Sequence, residues 1–305
     1  MPSLSRETTT GLIWLVVVVI VWTSFHIVTR YGVQHALTAW DLVTLRLGIA
    51  GIVLLPWLAR QGLGGLSLGR AALLFAAGGP AFAYSAFGGY QFAPAAHGAS
   101  ILAGTLPVFT APLAWWLAGE KLSGPRLIGL LAIFTGGATL VADALSGGGP
   151  GAWRGDALFV LGAFSWSLFA VLVKTWNVAP LRAAAIVSVG SLLTVAPFNL
   201  LFLPSHFVHA ELVEIAGQAI YHGFFGYLVS LVGYSRATLN LGATATSMAI
   251  VVVPGSVALL AWLLLDEPVG PLCLAGVALV SGGLLATGWA AATAERRRRL
   301  AAVAT

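Results

Sequence analysis

Residues 107–122 read P-V-F-T-A-P-L-A-W-W-L-A-G-E-K-L, and residues 254–269 read P-G-S-V-A-L-L-A-W-L-L-L-D-E-P-V. Seven positions recur at a spacing of 147: Pro107, Leu113, Ala114, Trp115, Glu120, Gly129 and Gly136 return as Pro254, Leu260, Ala261, Trp262, Glu267, Gly276 and Gly283. Each copy runs from an apolar segment through an acidic turn into a second apolar segment. A second match, at a spacing of 144, joins Gly11, Trp22, Phe25 and Arg30 to Gly155, Trp166, Phe169 and Lys174. The chain is therefore an internal duplication.

Working outward from these copies, ten apolar runs can be marked, at 11–29, 40–59, 71–92, 97–118, 126–143, 155–173, 182–203, 215–235, 242–264 and 270–291. Each is about 20 residues long, enough for a helix to cross the hydrocarbon core. The expectation is an all-α integral membrane protein of ten transmembrane helices arranged as two inverted five-helix repeats. An odd number of helices per repeat forces the copies to insert in opposite senses, with a site between them. The repeats are expected at 1–144 and 155–305, joined by a Gly-rich linker at 145–154, the second carrying a basic tail.

Composition excludes most alternatives. Of 305 residues, 59% are hydrophobic and 8% charged, against about 25% charged in a soluble domain. Lys and Arg favour one side. With the N-terminus in the cytoplasm, twelve fall in cytoplasmic segments, Arg30 and Arg154 in outer loops and Arg46 within a span. This bias predicts both termini in the cytoplasm, in the inner (plasma) membrane. The run Arg296–Arg299 reads as an anchor to anionic lipid, so the +5 net charge indicates no nucleic-acid partner. No cleaved leader is expected. The single cysteine, Cys273, reads as a small core side chain and excludes an intrachain disulfide.

The proline-to-acid segment with I-G-L-L-A-I-F-T-G-G after it, its second copy, and the span 2 run T-L-R-L-G-I-A-G around Arg46 resemble the drug/metabolite transporter superfamily in its ten-span form with two EamA-type repeats. The second copy departs at Asp266–Val269, and Val187 stands where Arg46 would align. The resemblance implies transport of small organic molecules across a lipid bilayer, with no cofactor, by a monomer or homodimer.

Function in such a chain rests on side chains facing an interior cavity. Ser100, Gly104 and Pro107 share one helix face, as do Ser247, Val251 and Pro254. These hydroxyls line a cavity or simply let helices pack closely, and the prolines are expected to kink their helices as gate hinges. Tyr84, Phe87 and Gln91 on span 3, and Tyr227, Ser230 and Tyr234 on span 8, fit a pocket for a molecule with an apolar part and polar ends. Trp22 and Trp166 lie deep in matched spans, whereas Trp40, Trp57, Trp153 and Trp289 read as interface anchors. His26, one turn beyond Trp22, is either functional or satisfied by a carbonyl; His97 and His222 are weaker candidates. Arg46, Glu120 and Glu267 are expected to serve structurally.

No H-E-x-x-H, G-x-S-x-G or intramembrane acidic dyad occurs, so no enzyme and no metal site is expected. No Asp or Glu falls in the middle of a span, so facilitated export or exchange is expected rather than proton coupling. The expected function is an alternating-access exporter of small metabolites, most of all large neutral or aromatic amino acids. The alternatives are an exporter of drugs or nucleotide sugars, or a channel, for which no filter motif is present.

Overall fold

The computed structural model describes residues 6–118, 124–146, 151–242, 245–246 and 249–303. Among them the apolar runs form α1 (Arg6–His35), α2 (Ala39–Gln61), α3 (Leu68–Gly89), α4 (Ala95–Ala118), α5 (Gly124–Ser146), α6 (Ala152–Thr175), α7 (Pro180–Phe202), α8 (Leu212–Leu241), α9 (Val252–Leu265) and α10 (Pro271–Val303), with no strand. Nine of these are long and apolar enough to cross a bilayer, and α9 is shorter at 14 residues. Side chains such as Ile20, Ile52, Ile128, Phe134 and Leu264 are exposed around the outside, an apolar surface that only lipid can cover on this scale. The protein is a multi-pass membrane protein.

The helices pair across the duplication. α5 packs on α10 and α2 on α7; α3 and α4 both pack on α6, while α8 and α9 both pack on α1. The glycines of the repeat explain the closest pair. A Cβ placed on Gly129 would lie 2.8 Å from the carbonyl oxygen of Gly283, and one on Gly136 would lie 2.9 Å from that of Gly276. The obstacles are backbone, which cannot rotate aside, so only glycine fits. Gly129 meets Gly283 while Gly136 meets Gly276, so the two helices run antiparallel. Because α5 and α10 are copies of each other, this contact is the inversion of the repeats seen directly. Gly11 and Gly155 behave alike: the first lies against Asn240 and Leu241 in α8, the second against Gly89 and Ala93 at the end of α3.

Two departures from regular helix also match. α3 contains a π-helical segment at Ala77–Ala81, with Gly79 and Pro80 inside it, and α8 contains one at Ile220–Val229. Such segments widen the turn, release carbonyls from the helical ladder, and recur at functional sites. In α3 the released Ala77 carbonyl accepts a 2.8 Å bond from Ser165 of α6.

Some boundaries differ from expectation. Helix reaches into both edges of the expected 145–154 linker, because α5 continues to Ser146 and α6 begins at Ala152. Pro107 does not break α4, which runs on through both Pro107 and Pro112. Pro254 lies in the first turn of α9, where a missing N–H costs nothing. Pro107 thus lies inside a long helix and Pro254 at the start of a short one.

Candidate functional site

Arg46 of α2 projects into the bundle rather than toward a membrane surface. Its guanidinium carbon sits 5.0 Å from the ring centre of Phe25 and 5.5 Å from that of Tyr227. Aromatic faces attract a cation, the more so when water is excluded. Its Nη1 is nonetheless buried with no hydrogen-bond acceptor. A Cβ at residue 226 would fall 3.0 Å from that nitrogen, so Gly226 makes the room the guanidinium occupies. Beside it, His222 is fully buried and neither ring nitrogen has a partner. Its ring meets Phe25 at 5.6 Å and Phe87 at 5.3 Å, both edge-on. Tyr221, His222, Gly226 and Tyr227 all belong to the π-helical segment of α8. The matched segment of α3 reads A-G-G-P-A, so only one copy is furnished with polar and aromatic groups. Arg46 makes none of the ion pairs seen among the described residues.

Two further groups of expected residues form. Trp22 donates a 3.2 Å bond to the Ser230 hydroxyl and stacks on Tyr234 at 5.7 Å. Tyr84 donates a 2.5 Å bond to Asn199 of α7, whose amide in turn donates to the Trp40 carbonyl and the Thr44 hydroxyl. Trp40, expected as an interface anchor, packs edge-on against Tyr84 at 5.4 Å. Asn199 escaped the sequence reading. A lone buried amide in an apolar span was its signal, since such a group must find partners.

Several residues stand apart. Trp166 packs against Phe82 and Phe169 rather than with Trp22. Gln91 is exposed in the turn after α3 and does not line the interior. Gly104 packs against Val280 of α10. Ser100 is fully buried with its hydroxyl unpaired. Ser247 and Glu120 lie outside the described residues.

At one end of the bundle lies a network joining the repeats. Glu267 accepts a 2.7 Å bond from Arg30 and, through its other oxygen, a 2.8 Å bond from the backbone N–H of Ala95 at the start of α4. Arg30 also donates to the Tyr90 carbonyl, and the Tyr90 hydroxyl bonds His26 Nδ1. Tyr90 is fully buried. The departure of the second copy at Asp266 has a purpose here. Asp266 adopts φ +52°, a left-handed conformation that Asp tolerates, and the chain folds back with Glu267 aimed inward.

Residues 9–142 and 153–289 each match the EamA-like transporter family. The chain is similar to the "Uncharacterized transporter YetK" of Bacillus subtilis (strain 168), with 25% identity over 191 residues, 61% of this chain and 58% of that protein. It thus spans under two thirds of the length of the curated relative it matches. A solved structure described as "Crystal structure of protein" has the same fold, with a TM-score of 0.61 at 19% identity, covering 93% of this chain and 98% of that one.

Proposed function

The chain belongs to the EamA-like transporter family, and from that premise we propose that it is an inner-membrane carrier exporting small carboxylate-bearing metabolites, large neutral or aromatic amino acids first, by alternating access. The observation that carries this reading is Arg46: a guanidinium among Phe25, Phe87, His222 and Tyr227 with one nitrogen lacking an acceptor. A carboxylate supplies that acceptor, and the surrounding rings suit an apolar side chain. His222 offers two further polar atoms for orientation. Both termini face the cytoplasm in this reading, and the two repeats rock about the Arg46 cluster so that one end opens as the other closes.

The test is flux of a substrate panel in liposomes holding the purified protein. Saturable uptake of aromatic amino acids is expected. Arg46→Gln should lower it tenfold or more, given roughly 1.5–3 kcal/mol for a charge-assisted hydrogen bond, while a decarboxylated amine analogue should be transported no better by the parent than by the variant. Equal loss for acid and amine would overturn the carboxylate role. Non-saturable flux would favour a channel, and transport of neutral drugs alone would favour the other exporter reading.

A further inference from the structure

A second polar cluster lies at the end that holds Glu267, and the Arg46 cluster does not use it. His97, in the first turn of α4, is almost wholly buried, and its Nδ1 lies 3.0 and 3.2 Å from the two carboxylate oxygens of the fully buried Asp156. A carboxylate accepts and does not donate when ionised, so Nδ1 carries a hydrogen, while Nε2 either donates to Asp143 from a protonated ring or turns its lone pair to a cation. Nε2 faces Asp143 Oδ2 at 3.3 Å, and the Cys273 sulfur completes a group of three ligand atoms all within 4.8 Å of one another. Two lone pairs and a sulfur turned toward one point repel unless a proton or a metal cation sits among them.

We propose that His97 Nε2, Asp143 and Cys273 form a binding site for a zinc-like divalent transition-metal ion, with Asp156 orienting the histidine from behind. In a tetrahedral site with bonds of about 2.0–2.3 Å, neighbouring ligand atoms stand about 3.3–3.8 Å apart. The histidine–aspartate pair already has that separation, and the thiol closes in by no more than about 1.5 Å. A histidine whose other nitrogen is held by a buried carboxylate is the usual supporting arrangement for a metal-bound imidazole. One nitrogen, one oxygen and one sulfur select zinc or cobalt(II) over magnesium and calcium, which take oxygen. Three protein ligands leave a fourth position for water, and the Asp143 side chain, 21% exposed, provides the way in. His97 and Asp143 come from the first repeat, Cys273 and Asp156 from the second, so a bound ion ties the repeats together at this end. The site stands independently of the identity of the transported molecule.

The experiment is a titration of chelator-stripped, purified full-length protein with Co2+ and with Zn2+, followed by absorption spectroscopy, calorimetry and thermal unfolding. Expected are one ion per chain, a thiolate-to-cobalt charge-transfer band displaced by Zn2+, a raised unfolding temperature, and no response to Mg2+. Cys273→Ser should remove the band, and Asp156→Asn should weaken binding by 10- to 100-fold. Wild-type protein that takes up no stoichiometric ion overturns the proposal; a proton shared along Asp143, His97 and Asp156 then fills the gap instead. Binding of equal strength in the Cys273→Ala and Asp143→Asn variants also overturns it, because the ion is then adventitious. Should a variant fail to fold, the wild-type titration and its charge-transfer band still decide.

Discussion

The two ends of the bundle are built from copies of the same sequence yet are held by different forces. At the end bearing the α1–α2, α3–α4 and α9–α10 turns, buried carboxylates tie one repeat to the other. Glu267 joins Arg30 to the start of α4. Asp41 completes a capping box with Thr38 and accepts from Ser205 and the His206 N–H, fastening the α1–α2 turn to the α7–α8 turn. The Arg30–Glu267 ion pair and the contacts of His97 with Asp143 and Asp156 lie at this end. At the opposite end, arginines rest on indole rings, Arg70 over Trp176 at 5.2 Å and Arg182 over Trp57 at 5.8 Å. Breaking one partner of a buried ion pair costs about 3–5 kcal/mol, whereas an exposed cation–π contact is worth about 0.5–1 kcal/mol. Among the described contacts, those made by the carboxylates are therefore the costlier to break.

Glu267→Ala should have the largest effect, because it removes the acceptor of both Arg30 and the Ala95 N–H. A loss of about 3–5 kcal/mol from the closed arrangement is expected, read most directly at the chain's only cysteine. Cys273 sits at this same end and is 3% exposed. In chelator-treated protein, a maleimide should label it slowly in the parent and at least tenfold faster in the variant; unchanged labelling would mean that Glu267 does not hold this end shut.

Gly136→Ala comes next and bears on both ends, since it pushes apart the α5–α10 seam about which they are arranged. The added methyl meets backbone of Gly276 and Val280 at 2.8–2.9 Å, and overpacking of this kind costs about 1–3 kcal/mol. A lower unfolding temperature with slower transport is expected, and a variant indistinguishable from the parent would show that the seam has slack.

Arg70→Gln should be the mildest. It removes one cation–π contact at the other end, and stability should fall by no more than about 1 kcal/mol in a denaturant titration. A loss comparable to that of Glu267→Ala would erase the distinction between the ends.

Much of this was legible in the residues themselves. The glycines at 129, 136, 276 and 283 were visible as repeat positions, and they turned out to be the places where two backbones touch. Arg46 was visible as a charge inside an apolar run, but the aromatic rings around it were not. Trp22, Ser230 and Tyr234 came together as one face, whereas Trp166, the repeat mate of Trp22, did not join them. Duplication preserves helix placement but not the side chains that later fill the centre. Asp143 and Asp156, the partners of the weaker candidate His97, were passed over because they border a Gly-rich stretch that reads as linker, and hydropathy cannot tell an acid in a loop from an acid in a buried terminal turn of a helix.

The sequence by itself determined the ten apolar runs, the duplication and the inversion that five helices per copy compel. All of these follow from local periodicity and from the need to satisfy backbone groups inside lipid. Only the tertiary structure decided which polar groups meet: Glu267 with Arg30 and Ala95, Tyr84 with Asn199, His97 with Asp156, and Arg46 with aromatic rings but no acid. The reason is physical. A buried polar side chain takes whatever partner the helix crossings bring within about 3 Å, and crossings are set by close contacts between distant helices that no single stretch of sequence contains.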